Sequence, residues 1–325
     1  MQYTKLGNSQ IEVSKLCVGC MSFGKPSADF QEWTLNSEET EKVVGHALDL
    51  GINFFDTANT YSHGTSEEYL GKALKNLAQR DKVIIASKVY FNEGHLSKDA
   101  IFREIDGTLS RLGTDYLDLY IIHRFDYSTP IEETMQALHS LVKCGKVRAI
   151  GASAMYGYQF HNMQIFAKEN NLTPFVSMQN HYNLLYREDE REMIPICKQM
   201  NVAITPYSPL AAGRLCRPEW HAETKRSKTD YMAAGKYDKT EAEDKKIVER
   251  VHELSEKYGK TMTQITLAWQ FAKGVTAPII GATKEKYLTD AAGALEFSLS
   301  DDDIGYLEEL YIPHKLTGAI PPPQK

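Results

Sequence analysis

Eight short apolar runs punctuate this 325-residue chain, with helical patterns between them. They are Leu16–Cys20, Phe54–Thr57, Val83–Lys88, Leu117–His123, Ala149–Ser153, Phe175–Gln179, Ala203–Tyr207 and Pro278–Gly281. Strand-like runs that alternate with helices mark repeated βα units and a parallel sheet. Several runs are apolar at consecutive positions, as strands buried on both faces require. Eight units favour a closed (β/α)8 barrel, because a doubly wound sheet of this size usually divides into two domains. No linker interrupts the pattern, so residues 1–325 are expected to form one domain.

The connecting helices carry their own signals. Thr129-Pro130-Ile131-Glu132 reads as a capping box with proline at the first helical position, and Met135, Leu138, Leu141 and Val142 line one face before Gly145. Ser97 precedes Ile101, Ile105, Leu109 and Leu112, and Gly113 stops that helix. Both amphipathic helices belong outside the sheet. Three segments fall outside the repeat. Met1 to Val13, with the turn-like Gly7-Asn8-Ser9-Gln10, predicts a hairpin that caps the barrel floor. Arg214 to Thr240 is polar and too long for a bare connection, which suits either a lid or a solvated loop. Extra helices follow near Glu241–Tyr258 and Thr263–Ala272, and the chain ends in a tail with Pro321-Pro322-Pro323.

Charge and cysteine content narrow the function. Lys plus Arg is 37 against 43 for Asp plus Glu, a net charge of −6, which lacks the basic footprint of a nucleic-acid binder. No window approaches the roughly 20 apolar residues of a spanning helix, and the N-terminus shows no signal-peptide pattern, so a cytoplasmic protein with no membrane association is expected. The five cysteines are expected to be reduced thiols. Cys17-x-x-Cys20 lacks a second ligand pair and lies in a strand run, so no metal site is expected. Gly19-x-x-x-x-Gly24-Lys25 has the spacing of a phosphate-binding loop, but Pro26 stands where a magnesium-binding hydroxyl is needed.

In such a barrel, active residues sit at the C-terminal strand ends and in the loops beyond them. That rule selects Asp56, Lys88 and His123 at the ends of three consecutive strands, and Tyr61 five residues past Asp56. Each has an ordinary structural use as a cap, a rim ion pair, a packed ring or a satisfied histidine. Together they form a proton-donor device. A buried Lys88 requires a counter-ion, and Asp56 can supply it. The ammonium should favour the Tyr61 phenolate and ease proton release, while His123 orients a carbonyl oxygen.

These residues lie in segments that resemble the aldo-keto reductase family. Gly51-Ile52-Asn53-Phe54-Phe55-Asp56-Thr57-Ala58-Asn59-Thr60-Tyr61 is similar to the family's most diagnostic stretch, and Ser110-Arg111-Leu112-Gly113-Thr114-Asp115-Tyr116 leads toward His123 in the family's manner. Further matches are Gly145 to Ser153, Gln179-Asn180, Tyr207-Ser208-Pro209-Leu210 and Gly281-Ala282-Thr283. Met155-Tyr156 and Asn183 to Glu188 resemble microbial and fungal members of the aryl-alcohol-dehydrogenase-like type.

The resemblance implies a nicotinamide cofactor, NADP(H), and reduction of an aldehyde or ketone with Tyr61 as general acid. It assigns Ser153 and Gln179 to the carboxamide, Tyr207 to the ring, and Ser208, Leu210, Gly213 and Arg214 to the pyrophosphate, with Asp56, Pro209 and Ala211 as further cofactor contacts. Gly281, Thr283, Lys284, Tyr287 and Asp290 surround the adenosine end, where a helix from about Thr283 to Leu295 offers its N-terminus to a 2′-phosphate. Cys20 and Met21 fall in the loop beside the nicotinamide. Ala154 and Ala291 replace asparagines usual in the family, each removing one polar contact.

Trp33, Tyr90, Phe91, Phe125, Tyr127, Met155 and Tyr156 are candidate substrate contacts, implying an aryl or hydrophobic carbonyl compound. A monomer or weak homo-oligomer is expected. Two rival functions remain: a class I aldolase with Lys88 as Schiff-base nucleophile, and a non-catalytic, channel-associated subunit that retains the cofactor site. The tyrosine and cofactor motifs speak against the first, and His123 against the second.

Overall fold

The computed structural model describes residues 1–27, 31–221 and 223–323. The described residues form ten strands: β1 (Tyr3–Lys5), β2 (Glu12–Ser14), β3 (Cys17–Gly19), β4 (Phe54–Asp56), β5 (Ile84–Val89), β6 (Leu117–Ile122), β7 (Val147–Ser153), β8 (Phe175–Gln179), β9 (Ala203–Ile204) and β10 (Ile279–Gly281). The last eight form one parallel sheet in the order β10-β3-β4-β5-β6-β7-β8-β9. Thr276 and Ile279 donate backbone N–H bonds to Ile204 and Pro206 at 2.9 and 3.0 Å, which joins β9 to β10 and closes the ring. The fold is a (β/α)8 barrel, and each of the eight apolar runs overlaps one of its strands, although β5 runs on to Val89 and β7 begins two residues earlier than its run, at Val147.

Side chains along a strand alternate between the barrel interior and the helix layer. Cys17, Phe54, Ile84, Ala86, Leu119 and Ile121 share an inner apolar cluster, while Val18, Phe55, Ile85, Tyr120 and Ile122 pack outward against the helices. Counting by two from the inner residues places Asp56, Lys88 and His123 on the inward face at the top of β4, β5 and β6. Gly151 is needed on β7, because a Cβ there would stand 2.4 Å from the Ser177 hydroxyl.

β1 and β2 pair antiparallel. Leu6, Ile11 and Val13 join the inner cluster, so this hairpin seals the floor as its sequence suggests. Helix Lys98–Leu112 starts at Ser97, whose side chain accepts from Ala100 N–H, and ends at Gly113 in the left-handed conformation, φ +64°. The capping box at Thr129 is a correction. Helix Ile131–Lys143 has Pro130 as its N-cap with no side-chain cap, and the Thr129 hydroxyl instead donates to Asp126 at 2.7 Å. A carboxylate three residues upstream outcompetes the helix N–H groups for that hydroxyl.

The segment from Arg214 to Thr240 contains helices Lys225–Thr229 and Tyr231–Tyr237. It is anchored rather than merely solvated: Trp220 and Tyr237 are buried, and Arg214 pairs with Asp238. Helices Glu241–Tyr258, Met262–Ala272, Glu285–Ala292 and Asp301–Glu308 complete the C-terminal part. Among the described residues, no helix is long and apolar enough to cross a membrane. Cys17, Cys20, Cys144, Cys197 and Cys216 are all free thiols.

Candidate active site

At the top of β4 and β5, the Lys88 ammonium donates to Asp56 Oδ1 at 2.5 Å, to the Thr57 carbonyl at 2.7 Å and to the Tyr61 hydroxyl at 3.1 Å. Lys88 is fully buried, a placement tolerable only with a paired charge and satisfied donors. Gln179, at the end of β8, donates its amide to the other Asp56 oxygen at 2.9 Å. The carboxylate is therefore held from both sides and in turn fixes the ammonium.

Tyr61 reaches this pair because of the turn that follows it. Ser62 and His63 both adopt left-handed backbone conformations, φ +47° and +54°, which cost about 1–3 kcal/mol each outside glycine. The buried Ser62 hydroxyl donates to the Phe23 carbonyl at 3.1 Å, anchoring the turn to the loop after β3. The chain reverses, and the phenol points back into the mouth. The His123 ring stands edge-to-face with Tyr61, centroids 5.9 Å apart, and with Phe91 at 5.0 Å.

The electrostatics correct one expectation. Burial raises the Tyr61 pKa above the ordinary tyrosine value of 10.0, and the Lys88 charge opposes this without overcoming it. The phenol therefore stays protonated at neutral pH, with the ammonium restraining rather than reversing the rise. Burial pulls the Lys88 pKa down, but Asp56 and Tyr61 push harder and keep it cationic above its usual 10.5. Burial, then the charges of Lys88 and Arg124, lower the His123 pKa well below 6.5. His123 is thus neutral, and its Nδ1 has no hydrogen-bond partner among the described residues. A proton donor and a neutral imidazole sharing one mouth can protonate and polarise a carbonyl oxygen.

The chain belongs to the aldo/keto reductase family: the family's sequence model matches residues 15–312. It is an oxidoreductase of the type that reduces aldehydes or ketones, in a family that generally uses NAD(P)H. It is similar to the versiconal hemiacetal acetate reductase of Aspergillus parasiticus, 40% identical across 96% of this chain and 98% of that one. A Schizosaccharomyces pombe protein provisionally named an aryl-alcohol dehydrogenase is 42% identical across 98% of both chains. Among solved structures, the thermostable aldo-keto reductase Tm1743, crystallised with epalrestat, matches with a TM-score of 0.76 and 30% identity, covering 95% of this chain and all of that one.

The residues assigned by resemblance are held in unequal states. The Ser153 hydroxyl donates to the Gln179 carbonyl at 2.9 Å, so the two are coupled. The Tyr207 ring lies parallel to His181 at 5.2 Å, and its buried hydroxyl has no partner among the described residues. Beyond it, Ser208, Ala211, Ala212 and Gly213 all have positive φ. Such clustered strain marks functional segments, and left-handed turns orient backbone N–H groups into anion-binding concavities.

Arg214 is committed elsewhere, paired with Asp238 and set against the Trp220 and Tyr237 rings at 5.3 and 5.1 Å. Arg217 lies beside Gly213, and its buried Nε has no partner among the described residues. Its signal was a second arginine just past the pyrophosphate segment. Helix Glu285–Ala292 begins at Lys284 without a side-chain cap, leaving N–H groups available. Asp290 instead accepts from the Thr261 hydroxyl at 2.7 Å, and Tyr287 is exposed. The Cys20 thiol is buried against the Val18 carbonyl, while Met21 is partly exposed.

Of the substrate candidates, Phe91 is half exposed at the His123 ring and packs edge-on against Tyr90. Phe125 packs edge-on against Tyr127, whose hydroxyl donates to the Ile320 carbonyl at 2.8 Å and so ties down the C-terminal tail. Trp33 is buried, with the Arg226 guanidinium 4.4 Å from its ring. Met155 belongs to the outer core, and Tyr156 stacks on Tyr158 at 6.0 Å. Sequence reading also missed Arg124 and Lys236, cations that lie over the Phe91 and Tyr207 rings.

Proposed function

We propose that the protein is an NADPH-dependent reductase of aldehydes or ketones with aryl or hydrophobic bodies, and that Tyr61 is its general acid. The observation that carries this reading is the contact series from Asp56 through Lys88 to the Tyr61 hydroxyl, beside a neutral His123. The donors around the mouth fit a nicotinamide cofactor: a coupled Ser153–Gln179 pair, an aromatic face at Tyr207 and the turned backbone of Ser208 to Gly213. When bound, that group supplies the hydride.

The protein's own part is to hold the carbonyl oxygen and deliver a proton to it. His123 donates a ring N–H to the oxygen and polarises the carbonyl. Tyr61 releases its proton to the same oxygen as negative charge develops there. The Lys88 ammonium then faces the phenolate left behind, and Asp56 prevents Lys88 from turning away. Because Tyr61 titrates above 10, reduction rates should be level through neutral pH and fall only in the strongly alkaline range. A turnover profile declining between pH 6 and 8 with an unchanged rate-limiting step would assign the proton to another group.

A preference for NADPH rests on the capless start of helix Glu285–Ala292, where Lys284 is the N-cap and Thr283 precedes it, and on Arg226, which approaches Gly281. Lys228 is turned toward Glu223 instead. A charge-assisted contact contributes roughly 1.5–3 kcal/mol, or tenfold and more in affinity. Lys284→Ala and Arg226→Ala should each weaken NADPH binding about tenfold while leaving NADH binding nearly unchanged. Titration in which the parent protein binds NADH as tightly as NADPH would overturn the preference.

A further inference from the structure

Most arginines of this chain are paired with carboxylates: Arg80 and Arg148 with Asp118, Arg111 with Glu67, Arg187 with Glu190 and Glu308. Arg124 is different. It follows His123 directly, its Nη1 donates to the His123 carbonyl at 2.6 Å, and its guanidinium lies 5.6 Å from the Phe91 ring that abuts the His123 imidazole. Among the described residues, no carboxylate pairs with it. The nearest acid in sequence, Asp126, is occupied by Leu96 N–H, Ser128 N–H and the Thr129 hydroxyl.

A second cation, Lys236, enters the same mouth from the helix Tyr231–Tyr237, with its ammonium 4.8 Å from the Tyr207 ring centroid. It too has no carboxylate partner among the described residues. The closest candidate, Asp230, is bonded to Arg226 at 3.1 Å. Burial, then the Arg124 charge, lower the Lys236 pKa to about 8. Two like charges held near each other in a part-buried place, without counter-ions, are unfavourable until an anion arrives.

We infer that the substrate of this site is an aromatic carbonyl compound carrying a carboxylate, with its ring against Phe91, its carbonyl oxygen at Tyr61 and His123, and its carboxylate held by Arg124 with Lys236 nearby. This rests on the proposed reductase reading. Arginine matches a carboxylate with two parallel N–H bonds, which gives both affinity and orientation. The exposed Phe91 face supplies the aryl contact that the anion alone does not. The same cations suit a cofactor phosphate, so the test separates the two sources of negative charge.

Kinetics at saturating NADPH compare 2-, 3- and 4-carboxybenzaldehyde with the matching nitrobenzaldehydes, because a nitro group has the outline of a carboxylate without its net charge. Arg124→Met also shifts the field at His123 and Tyr61, and that effect acts on both series, so the ratio isolates the anion contact. For at least one ring position, kcat/KM for the carboxylate should fall tenfold or more beyond the fall for its nitro partner, mainly through KM. Arg124→Lys should recover part of the loss. The dissociation constant of NADPH should stay within threefold, and benzoate should bind the protein about tenfold more weakly in Arg124→Met.

Equal losses in both series, or no loss, overturn the inference. So does a tenfold weaker NADPH complex without discrimination between the series, which assigns the cations to the cofactor. Turnover of nitrobenzaldehydes by the unsubstituted protein checks the reductase reading separately. If it is absent with both NADPH and NADH, that reading fails and benzoate binding alone decides the anion site.

Discussion

Lys88→Met is expected to lower turnover at least a hundredfold and to destabilise the folded protein. The ammonium makes three contacts in a fully buried place, and methionine of similar length makes none of them. Asp56 is left as a buried carboxylate with only the Gln179 amide on it. Removing one partner of a buried ion pair typically costs about 3–5 kcal/mol, and the remaining amide bond places this case toward the lower figure. Turnover falls for a separate reason: the phenolate formed at Tyr61 loses the cation that faces it. Urea unfolding and steady-state rates measure the two effects independently. Stability and turnover both close to the parent would show that the pair is dispensable.

Tyr61→Phe should abolish comparable activity with almost no structural cost. The substitution keeps the ring that meets His123 edge-on and removes only the hydroxyl, which accepts one of three Lys88 hydrogen bonds. Lys88 keeps Asp56 and the Thr57 carbonyl, so the ion pair survives. General acid catalysis supplies about 10²–10⁴-fold, and that is the expected loss in turnover. Cofactor affinity should hardly change, because the proposed role aims the phenol at the carbonyl rather than at the cofactor. The contrast between the two variants, both inactive but only one destabilised, separates the proton donor from the charge that supports it.

The sequence exposes the barrel because strands buried on both faces leave uninterrupted apolar runs, and eight of these have few other arrangements. Asp56, Lys88 and His123 are legible for the same reason, as inward positions at strand tops. Tyr61 is less so. Nothing in Ser62-His63 announces two left-handed residues, and its direction depends on the Ser62 bond to the distant Phe23 carbonyl. Thr129 misled because its rival acceptor, Asp126, becomes available only when the loop folds. Tyr61's electrostatics misled because charge proximity is visible in a list of residues, whereas the depth of burial is not. Arg214 finds Asp238 across an intervening helical segment, and the lack of a carboxylate at Arg124 and Lys236 among the described residues is likewise a tertiary fact.

The central claim is that the Tyr61 hydroxyl delivers the proton while hydride reaches the carbonyl carbon. Single-turnover oxidation of NADPH, with cofactor and an aryl aldehyde both saturating, reads that step without substrate binding or product release. The folded Tyr61→Phe protein should react at least about a hundredfold more slowly than the parent. Rate constants that agree within about threefold would contradict the account and move the acid to another group.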